Sequence, residues 1–188
     1  SINVNLRDAN YDSASRAQLH VTYVAKPTNV SATYVSDTQI NISWTDNSSG
    51  EDGHKVERAT DGGGYAVVKT VAAGTNSWSD TTVSANHRYK YRVRAYKGTT
   101  YSQYSTETVY VYTTPAAPSN CTGHYDATDK SHCTWTDNSA YESGFDVDYR
   151  INGGSWTNYQ TVGTNVTTSS TYTVGANKKI EWRVRSYR

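Results

Sequence analysis

The feature that most constrains the fold is a five-residue motif that the chain contains twice. Trp44-Thr45-Asp46-Asn47-Ser48 returns as Trp135-Thr136-Asp137-Asn138-Ser139, a separation of 91 residues. Two further motifs recur at the same separation: Glu51-x-Gly53 with Glu142-x-Gly144, and Arg92-Val93-Arg94 with Arg183-Val184-Arg185. Three matches at one separation indicate a duplicated unit of about the size of one small domain. The chain of 188 residues therefore predicts two tandem domains.

Composition and patterning favour β-structure in both copies. Tyrosine occurs 17 times and phenylalanine once, and tyrosine suits half-buried strands. Mean hydropathy is −0.77, but apolar and polar residues alternate within the segments, which argues against disorder. A net charge of +1 gives no reason to expect nucleic acid as a partner. No apolar run approaches the roughly 20 residues of a membrane span, so we expect no membrane insertion. Together, the composition and the alternation lead us to expect an all-β protein outside the cytosol.

The first copy, residues 27–115, shows seven short segments of strand character. They centre on residues 30, 40–44, 55–58, 65–71, 78, 89–95 and 109–112. In the seventh segment Val109 and Val111 alternate with Tyr110 and Tyr112, which predicts inward valines and outward tyrosines. Seven short strands separated by turn residues predict a β-sandwich. Its inward-facing core is predicted to include Trp44, Tyr89, Tyr91 and Val93.

Two parts of this copy resemble fibronectin type III domains. They are Trp44 on the second strand and Tyr89-x-Tyr91-x-Val93-x-Ala95 on the sixth. The segment from Trp44 to Gly53 is similar to the copies common in bacterial secreted and phage proteins. The resemblance covers residues 27–188 and implies two tandem fibronectin type III (Ig-like) β-sandwiches. Such domains carry no chemistry of their own, so it implies scaffold, spacer or adhesion roles, no enzyme and no cofactor.

The second copy, residues 116–188, follows the same plan with substitutions. Phe145 takes the place of His54, which indicates a core position for both. The copy ends at Arg188 without a counterpart of residues 106–113, which predicts an uncovered edge on its sixth strand. Its core is predicted to include Trp135, Trp182 and Val184.

Residues 1–26 belong to neither copy. The run 15–23 resembles the last strand of jelly-roll, carbohydrate-binding-like modules of bacterial surface and phage proteins. One interpretation is the end of a preceding β domain, in a chain excerpted from a longer protein. The other is strand donation, in which residues 17–24 fill the seventh-strand position of another molecule's second copy and build head-to-tail filaments. The first is preferred, because an evolved donor strand would be expected to have a clean boundary.

Cys121 and Cys133 are the only two cysteines. Their spacing around Ala127 predicts that they face each other across a hairpin, on its inward side. A disulfide is then feasible in an oxidising compartment. The alternative is a pair of buried, reduced thiols that pack as small apolar residues.

The repeated acidic loop allows two interpretations. Asp46, Asn47, Glu51 and Asp52 offer oxygen atoms of the kind that calcium prefers. Asp and Asn are also the residues that a turn uses to bind its own backbone, and recurrence in both copies fits a requirement of the fold. We therefore expect no metal site here.

Arg92 and Arg94 are predicted to face outward on the sixth strand, beside Tyr110 and Tyr112 on the seventh. Tyr101 and Tyr104 are predicted to lie in the loop between these strands. An aromatic and basic face of this kind would suit a glycan or a protein partner. Ordinary cross-strand stacking explains the same pattern and is the preferred interpretation.

The sequence therefore favours a non-enzymatic structural or adhesive spacer segment of a long extracellular, cell-surface or virion-surface protein, with protein neighbours as partners. The first alternative is a carbohydrate-binding accessory region of a secreted polysaccharide-active enzyme. The second is the filament subunit that assembles by strand donation.

Overall fold

A computed structural model describes the backbone of Ile2–Asn5 and Gln18–Val21 and the whole of residues 23–188. The described residues form strands, turns and loops without a helix, so the all-β prediction is confirmed. The strands are β1 (Ile2–Asn5), β2 (Gln18–Val21), β3 (Thr28–Ser36), β4 (Gln39–Thr45), β5 (Gly53–Thr60), β6 (Ala66–Ala72), β7 (Ser77–Asp80), β8 (Arg88–Lys97), β9 (Thr100–Tyr101), β10 (Val111–Tyr112), β11 (Ser119–Ala127), β12 (Lys130–Thr136), β13 (Gly144–Ile151), β14 (Thr157–Gly163), β15 (Tyr172–Thr173) and β16 (Ile180–Tyr187).

The chain forms two compact units. The first contains Ser1–Thr33, Ile40–Asp80 and Tyr89–Val111, and the second contains Tyr34–Gln39, Thr81–Arg88 and Tyr112–Arg188. Below, residues 27–115 are called the first repeat and residues 116–188 the second repeat, after the duplication in the sequence, and each is described by itself.

The first repeat contains a three-stranded sheet in the order β3-β4-β7 and a five-stranded sheet in the order β10-β8-β5-β6, with β9 also paired to β8. Burial alternates along β4 and along β8, as the period of two in their sequences predicts. The resulting core contains Ile40, Ile42, Trp44, Val56, Tyr89, Tyr91 and Val93, each at most 5% exposed.

The seventh segment of the first repeat differs from the prediction. Val109 is 83% exposed rather than inward, and only Val111 of the two valines is buried. The edge of β8 is instead bound by Ser102, Ser105 and Thr108. Each of these donates its backbone N–H to a β8 carbonyl and accepts a β8 backbone N–H on its hydroxyl, at 2.8–3.1 Å. This spacing of three residues is not the alternation of an ordinary strand, so strand periodicity could not reveal it.

The second repeat contains two three-stranded sheets, β11-β12-β15 and β14-β13-β16. Its core consists of Cys133, Trp135, Phe145 and Val147, all at most 5% exposed. The side chains of Trp182 and Val184 pack against this cluster and are partly buried. β16 lies at an edge of its sheet, which is where the sequence predicts an uncovered strand.

The N-terminal strands β1 and β2 pair with each other in antiparallel fashion, from Ile2 with Val21 to Asn5 with Gln18. Donation of residues 17–24 to another molecule would therefore require β2 to leave this pairing. Residues 15–17 and 22 of the jelly-roll-like run 15–23 lie outside the described residues, as does part of the domain assigned to residues 1–26. Both interpretations of this segment stay predictions.

Candidate functional site: the arginine–tyrosine face

The candidate site is the solvent side of the sheet formed by β10, β8, β5 and β6. On β8 the buried Tyr91 and Val93 alternate with Arg92 and Arg94, so the two arginines share the opposite face. The register of β5 with β8 sets Glu57 directly opposite Arg92. Strand pairing therefore brings one carboxylate and two guanidinium groups together on this face.

Aromatic rings cover both guanidinium groups. The Arg92 guanidinium carbon lies 3.6 Å from the ring centre of Tyr104 and 4.1 Å from that of Tyr65. The Arg94 guanidinium carbon lies 4.1 Å from the ring centre of Tyr101 and 4.7 Å from that of Tyr104. These distances are within the range of cation–π attraction. We call these five residues, with Glu57, the arginine–tyrosine face.

Glu57 is the centre of the polar contacts on this face, although it is only 4% exposed. Its carboxylate accepts two hydrogen bonds from Arg92, at 2.7 and 3.0 Å, and one from the Tyr104 hydroxyl at 2.8 Å. Arg94 Nη2 lies 3.3 Å from the same carboxylate. A buried carboxylate is stable only when it is paired in this way. Two guanidinium groups thus share one carboxylate.

A second group of contacts lies beside the first. Glu107 accepts hydrogen bonds from Lys90 Nζ at 2.6 Å and from the Tyr65 hydroxyl at 2.5 Å. The hydrogen bond from Lys90, followed by that from Tyr65, lowers the pKa of Glu107 below its ordinary value. Burial and the bond to Glu107 raise the pKa of Tyr65, and burial and the bond to Glu57 raise the pKa of Tyr104. At neutral pH both tyrosines are therefore neutral hydrogen-bond donors.

The residues predicted for this site are only partly brought together. Arg92, Arg94, Tyr101 and Tyr104 converge as described. Tyr110 lies beside them, with its ring centre 4.6 Å from Lys90 Nζ. Tyr112 lies in the short strand β10 and is assigned to the other compact unit.

Sequence reasoning missed three members, Glu57, Tyr65 and Glu107. Tyr65 could have been identified from the duplication, because Trp156 stands 91 residues after it and both follow a glycine-containing turn.

The second repeat builds the same kind of face. Arg183 Nη2 lies 2.8 Å from Asp148, and Arg185 Nη2 lies 3.0 Å from Asp146. The Arg183 guanidinium lies 4.5 Å from the ring centre of Trp156. Because acid, arginine and aromatic ring recur at the positions that the duplication predicts, this arrangement belongs to the shared architecture of both repeats.

The repeated Trp-Thr-Asp-Asn-Ser motif has the same role in both repeats. Asp46 Oδ1 accepts the Ser48 backbone N–H at 2.9 Å, and the Asn47 amide donates to the Lys26 carbonyl at 2.9 Å. The equivalent bonds join Asp137 to Ser139, and Asn138 to Ala117, at 2.9 Å each. The aspartate therefore closes a turn, and the asparagine holds the segment that leads into the repeat.

The four oxygen-bearing residues of the first repeat considered as calcium ligands do not all converge. Asp52 instead accepts the Gly98 backbone N–H at 2.7 Å and pairs with Lys97 at 3.2 Å. Hydrogen bonds from Gly98 and Lys97 lower the pKa of Asp52. The amide of Asn47 is directed to the backbone and to the Thr28 hydroxyl. The residues that do converge are Asp46, Glu51 and His54, a group that the sequence pattern did not predict.

The structure has two free cysteines, Cys133 buried and Cys121 exposed, so the expectation that both face inward is wrong for Cys121, and the disulfide stays a prediction. The pairing of β11 with β12 shifts register between Ser119 and Thr122, and it places Gly123 opposite Cys133. Cys121 therefore lies two residues before the position in β11 that is opposite Cys133. A hydrogen bond between the thiols lowers the pKa of Cys121 and, together with burial, raises that of Cys133.

Comparison with known proteins agrees with this architecture. The sequence model of the family described as "Fibronectin type III domain" matches residues 25–110. Residues 25–110 have the fold of a fibronectin type III domain. The segment matched comprises β3 to β9, including Trp44 and the whole of β8. No curated protein matches the chain in sequence.

Two solved structures with tandem fibronectin type III domains resemble the chain. One is a two-domain fibronectin type III segment of chicken tenascin, at 15% identity and a TM-score of 0.50, covering 86% of this chain and 91% of that one. The other comprises the FN1–FN3 domains of chicken CNTN1, at 11% identity and a TM-score of 0.51, covering 86% of this chain and 61% of that one. At these identities the likeness shows the fold. In the described part of the chain, no helix is long and apolar enough to cross a membrane.

Proposed function

We propose that this chain is a non-enzymatic structural and adhesive spacer segment of a long extracellular, cell-surface or virion-surface protein. Fibronectin type III domains are commonly structural or adhesive modules of extracellular proteins. The observation that carries the proposal is the recurrence of the same internally paired face in both repeats. Arg92 is bound by Glu57, and Arg183 by Asp148, so the groups that a charged ligand would contact already have partners within the sheet.

This pairing argues for a packing surface rather than a pocket for a small ligand. Pockets for small ligands are usually concave and contain a few polar groups that converge on the ligand. On the arginine–tyrosine face the polar groups converge on Glu57 instead, and the rings cover the arginines. Its partners would then be protein neighbours in a surface or fibre assembly. They would contact it through broad surfaces rather than a deep site.

The carbohydrate-binding alternative is favoured by one observation. The Tyr101 side chain is 44% exposed at the edge of the face, and one ring face stacks on Arg94. An exposed ring held in place by a guanidinium group is a suitable platform for a sugar. The second alternative, filament assembly by strand donation, would be favoured if β16 paired with residues 17–24 of another molecule.

A glycan array separates the first two functions. The wild-type chain and the variants Tyr101→Ala and Tyr110→Ala are applied at equal concentration, with Tyr125→Ala as a matched control for an exposed tyrosine of the second repeat. The spacer function predicts no specific signal for any of the four proteins. Specific binding that is lost in Tyr101→Ala and kept in Tyr125→Ala would overturn the spacer proposal in favour of carbohydrate recognition.

A further inference from the structure

The cluster of Asp46, Glu51 and His54 has the geometry of a metal site. One ligand atom from each residue lies within 4.8 Å of the others. His54 Nε2 is 3.4 Å from Asp46 Oδ1. Two ligands bound tetrahedrally to zinc, each at about 2.0–2.1 Å from the metal, are themselves about 3.3–3.4 Å apart. These two atoms are therefore already spaced as ligands of one ion.

Two of the three side chains are buried with polar atoms that lack partners. His54 is fully buried, and among the described residues neither ring nitrogen has a hydrogen-bond partner. Glu51 is 9% exposed; its Oε1 accepts the Gly74 backbone N–H at 3.2 Å, whereas Oε2 has no partner in the described chain. Buried polar groups normally have partners. Since Glu142 Oε2 of the second repeat also lacks a partner in the described chain, the His54 nitrogens carry the argument, and a cation bound between the imidazole and the carboxylates would give them a partner.

The second repeat shows which part of this cluster the fold itself needs. Asp137 and Glu142 stand where Asp46 and Glu51 stand, and Glu142 is also buried, at 7% exposed. Phe145 occupies the position of His54. The ring centres of Trp135 and Phe145 are 5.6 Å apart, the same separation as between Trp44 and His54. A phenyl ring is therefore sufficient for packing at this position. Packing does not explain why the first repeat has an imidazole with two ring nitrogens there.

We propose that Asp46, Glu51 and His54 bind a Zn²⁺ ion. One imidazole nitrogen and two carboxylates suit zinc, which binds histidine and carboxylate ligands at low coordination number. Calcium requires six to eight oxygen ligands, which this cluster does not offer. The side chain of Asp46 is 17% exposed, which leaves access from solvent and a fourth position for water. The ion would connect the turn at Asp46 to β5 as a structural site, independently of the spacer function.

The test is zinc binding to the full 188-residue chain after treatment with a chelator. Calorimetric titration is expected to show one equivalent of Zn²⁺ per chain, and calcium chloride is expected to give no binding heat. Zinc at 100 times its Kd should raise the unfolding temperature of the first repeat by roughly 10 °C, since it binds only the folded state. A wild-type chain that binds no zinc would overturn the proposal.

Three variants identify the site. His54→Phe introduces the residue found in the second repeat, so this variant should fold but no longer bind one equivalent of Zn²⁺. Glu51→Gln should also fail to bind Zn²⁺, although it keeps His54. Phe145→His should raise the stoichiometry from one to two. Binding that survives in both His54→Phe and Glu51→Gln would assign the zinc to another place, such as the stacked pair His124 and His132, and overturn the proposal. A stoichiometry that stays at one in Phe145→His would refute the claim that a histidine beside the two carboxylates is sufficient.

Discussion

The two repeats share the same backbone plan but differ in the side chains of the interior. In the first repeat Asp80 is fully buried, and its carboxylate binds Arg58 at 2.7 Å and the Tyr91 hydroxyl at 3.0 Å. In the second repeat the corresponding region is an aromatic cluster, in which the ring centres lie 4.3–6.3 Å apart. The members of that cluster are Tyr149, Tyr159, Tyr172 and Trp182.

The comparison separates what the fold requires from what it tolerates. The repeated turn, the repeated glycine after it and the acid–arginine pairs are kept in both repeats. The interior is not kept, since Tyr149 stands 91 residues after Arg58, and Phe145 stands 91 residues after His54. Groups that bind backbone or approach it closely are thus kept, and so are the acid–arginine pairs, whereas the ion-pairing Arg58 and the ring of His54 are replaced by aromatic side chains in the second repeat.

The largest effect is expected from breaking the buried ion pair of the first repeat. Asp80→Ala leaves the Arg58 guanidinium and the Tyr91 hydroxyl without this carboxylate, and removing one partner of a buried pair is strongly destabilising. We expect a loss of about 3 kcal/mol in the free energy of unfolding of the first repeat. Urea denaturation followed by circular dichroism measures it, with the second transition as an internal reference.

A double variant sharpens this result. Adding Arg58→Tyr to Asp80→Ala copies Tyr149 of the second repeat and removes the positive charge that has lost the Asp80 carboxylate. It should recover part of the lost stability. If the double variant is as unstable as the single one, then the loss of the carboxylate from the Arg58 guanidinium is not the source of the lost stability.

Replacing the glycine that both repeats share is expected to have a smaller effect than Asp80→Ala, and the effect should be equal in the two repeats. A Cβ atom on Gly53 would lie 1.9 Å from the Val71 carbonyl oxygen, and one on Gly144 would lie 2.0 Å from the Val162 carbonyl oxygen. Because backbone rather than a flexible side chain is in the way, Gly53→Ala and Gly144→Ala should each destabilise their own repeat by about 2–3 kcal/mol. Thermal unfolding measures both.

Gly64→Ala is the matched control, since a Cβ atom there meets nothing within 4 Å; its effect should stay within about 0.5 kcal/mol. A penalty in only one of the two repeats would contradict the view that the Glu-x-Gly motif does the same work in both.

Most of the fold could be predicted because apolar and polar residues alternate along the sequence of a half-buried strand. Trp44 on β4, and Tyr89, Tyr91 and Val93 on β8, alternate with polar residues, and the structure places all four in the core. The seventh segment could not be predicted in this way. Its contacts to β8 are made by serine and threonine hydroxyls spaced by three residues, and Val109 consequently faces solvent.

The candidate sites were predicted less completely, because they depend on register. Arg92 and Arg94 were visible as outward residues, but their partner Glu57 is determined by the pairing of β5 with β8. The inward placement of Cys121 was missed for the same reason, since the irregular pairing of β11 with β12 puts Gly123 rather than Cys121 opposite Cys133. The convergence of Glu51 and His54 depends on the path of the loop between β4 and β5, which periodicity does not describe.

In the second repeat a single hydroxyl tests the aromatic counterpart of the ion pair. The Tyr172 hydroxyl donates a hydrogen bond to the Tyr149 hydroxyl at 2.9 Å. Tyr172→Phe keeps the ring and removes this bond, so we expect a loss of about 1 kcal/mol in the second repeat. Chemical denaturation measures it, and Tyr125→Phe, at a 64% exposed position, should change nothing measurable. A loss as large as that of Asp80→Ala would mean that the aromatic cluster is as sensitive to a polar deletion as the ion pair.

The smallest effect is expected from Glu107, which makes the free energy of unfolding of the first repeat depend on pH in the acid range. The pKa of Glu107 in the folded chain is lowered below its ordinary value of 4.5, chiefly by the hydrogen bond from Lys90. A lowered pKa stabilises the fold above about pH 4.5, and this contribution disappears as the pH falls through the folded-state pKa. Glu107 is nearly half exposed, so solvent screening limits the contribution to about 0.5 kcal/mol.

Glu107→Gln should therefore reduce the stability of the first repeat more at pH 7 than at pH 3, because the contribution of the ionised carboxylate is lost as the pH falls through its folded-state pKa. Urea midpoints at the two pH values measure the difference. The second repeat provides the comparison, because hydrogen bonds from Lys179 and Arg150 lower the pKa of Glu181 in the same way, and Glu181→Gln should change its own transition with the same sign. A Glu107→Gln penalty that is equal at pH 7 and pH 3 would show that Lys90 and Tyr65 bind this side chain without using its charge.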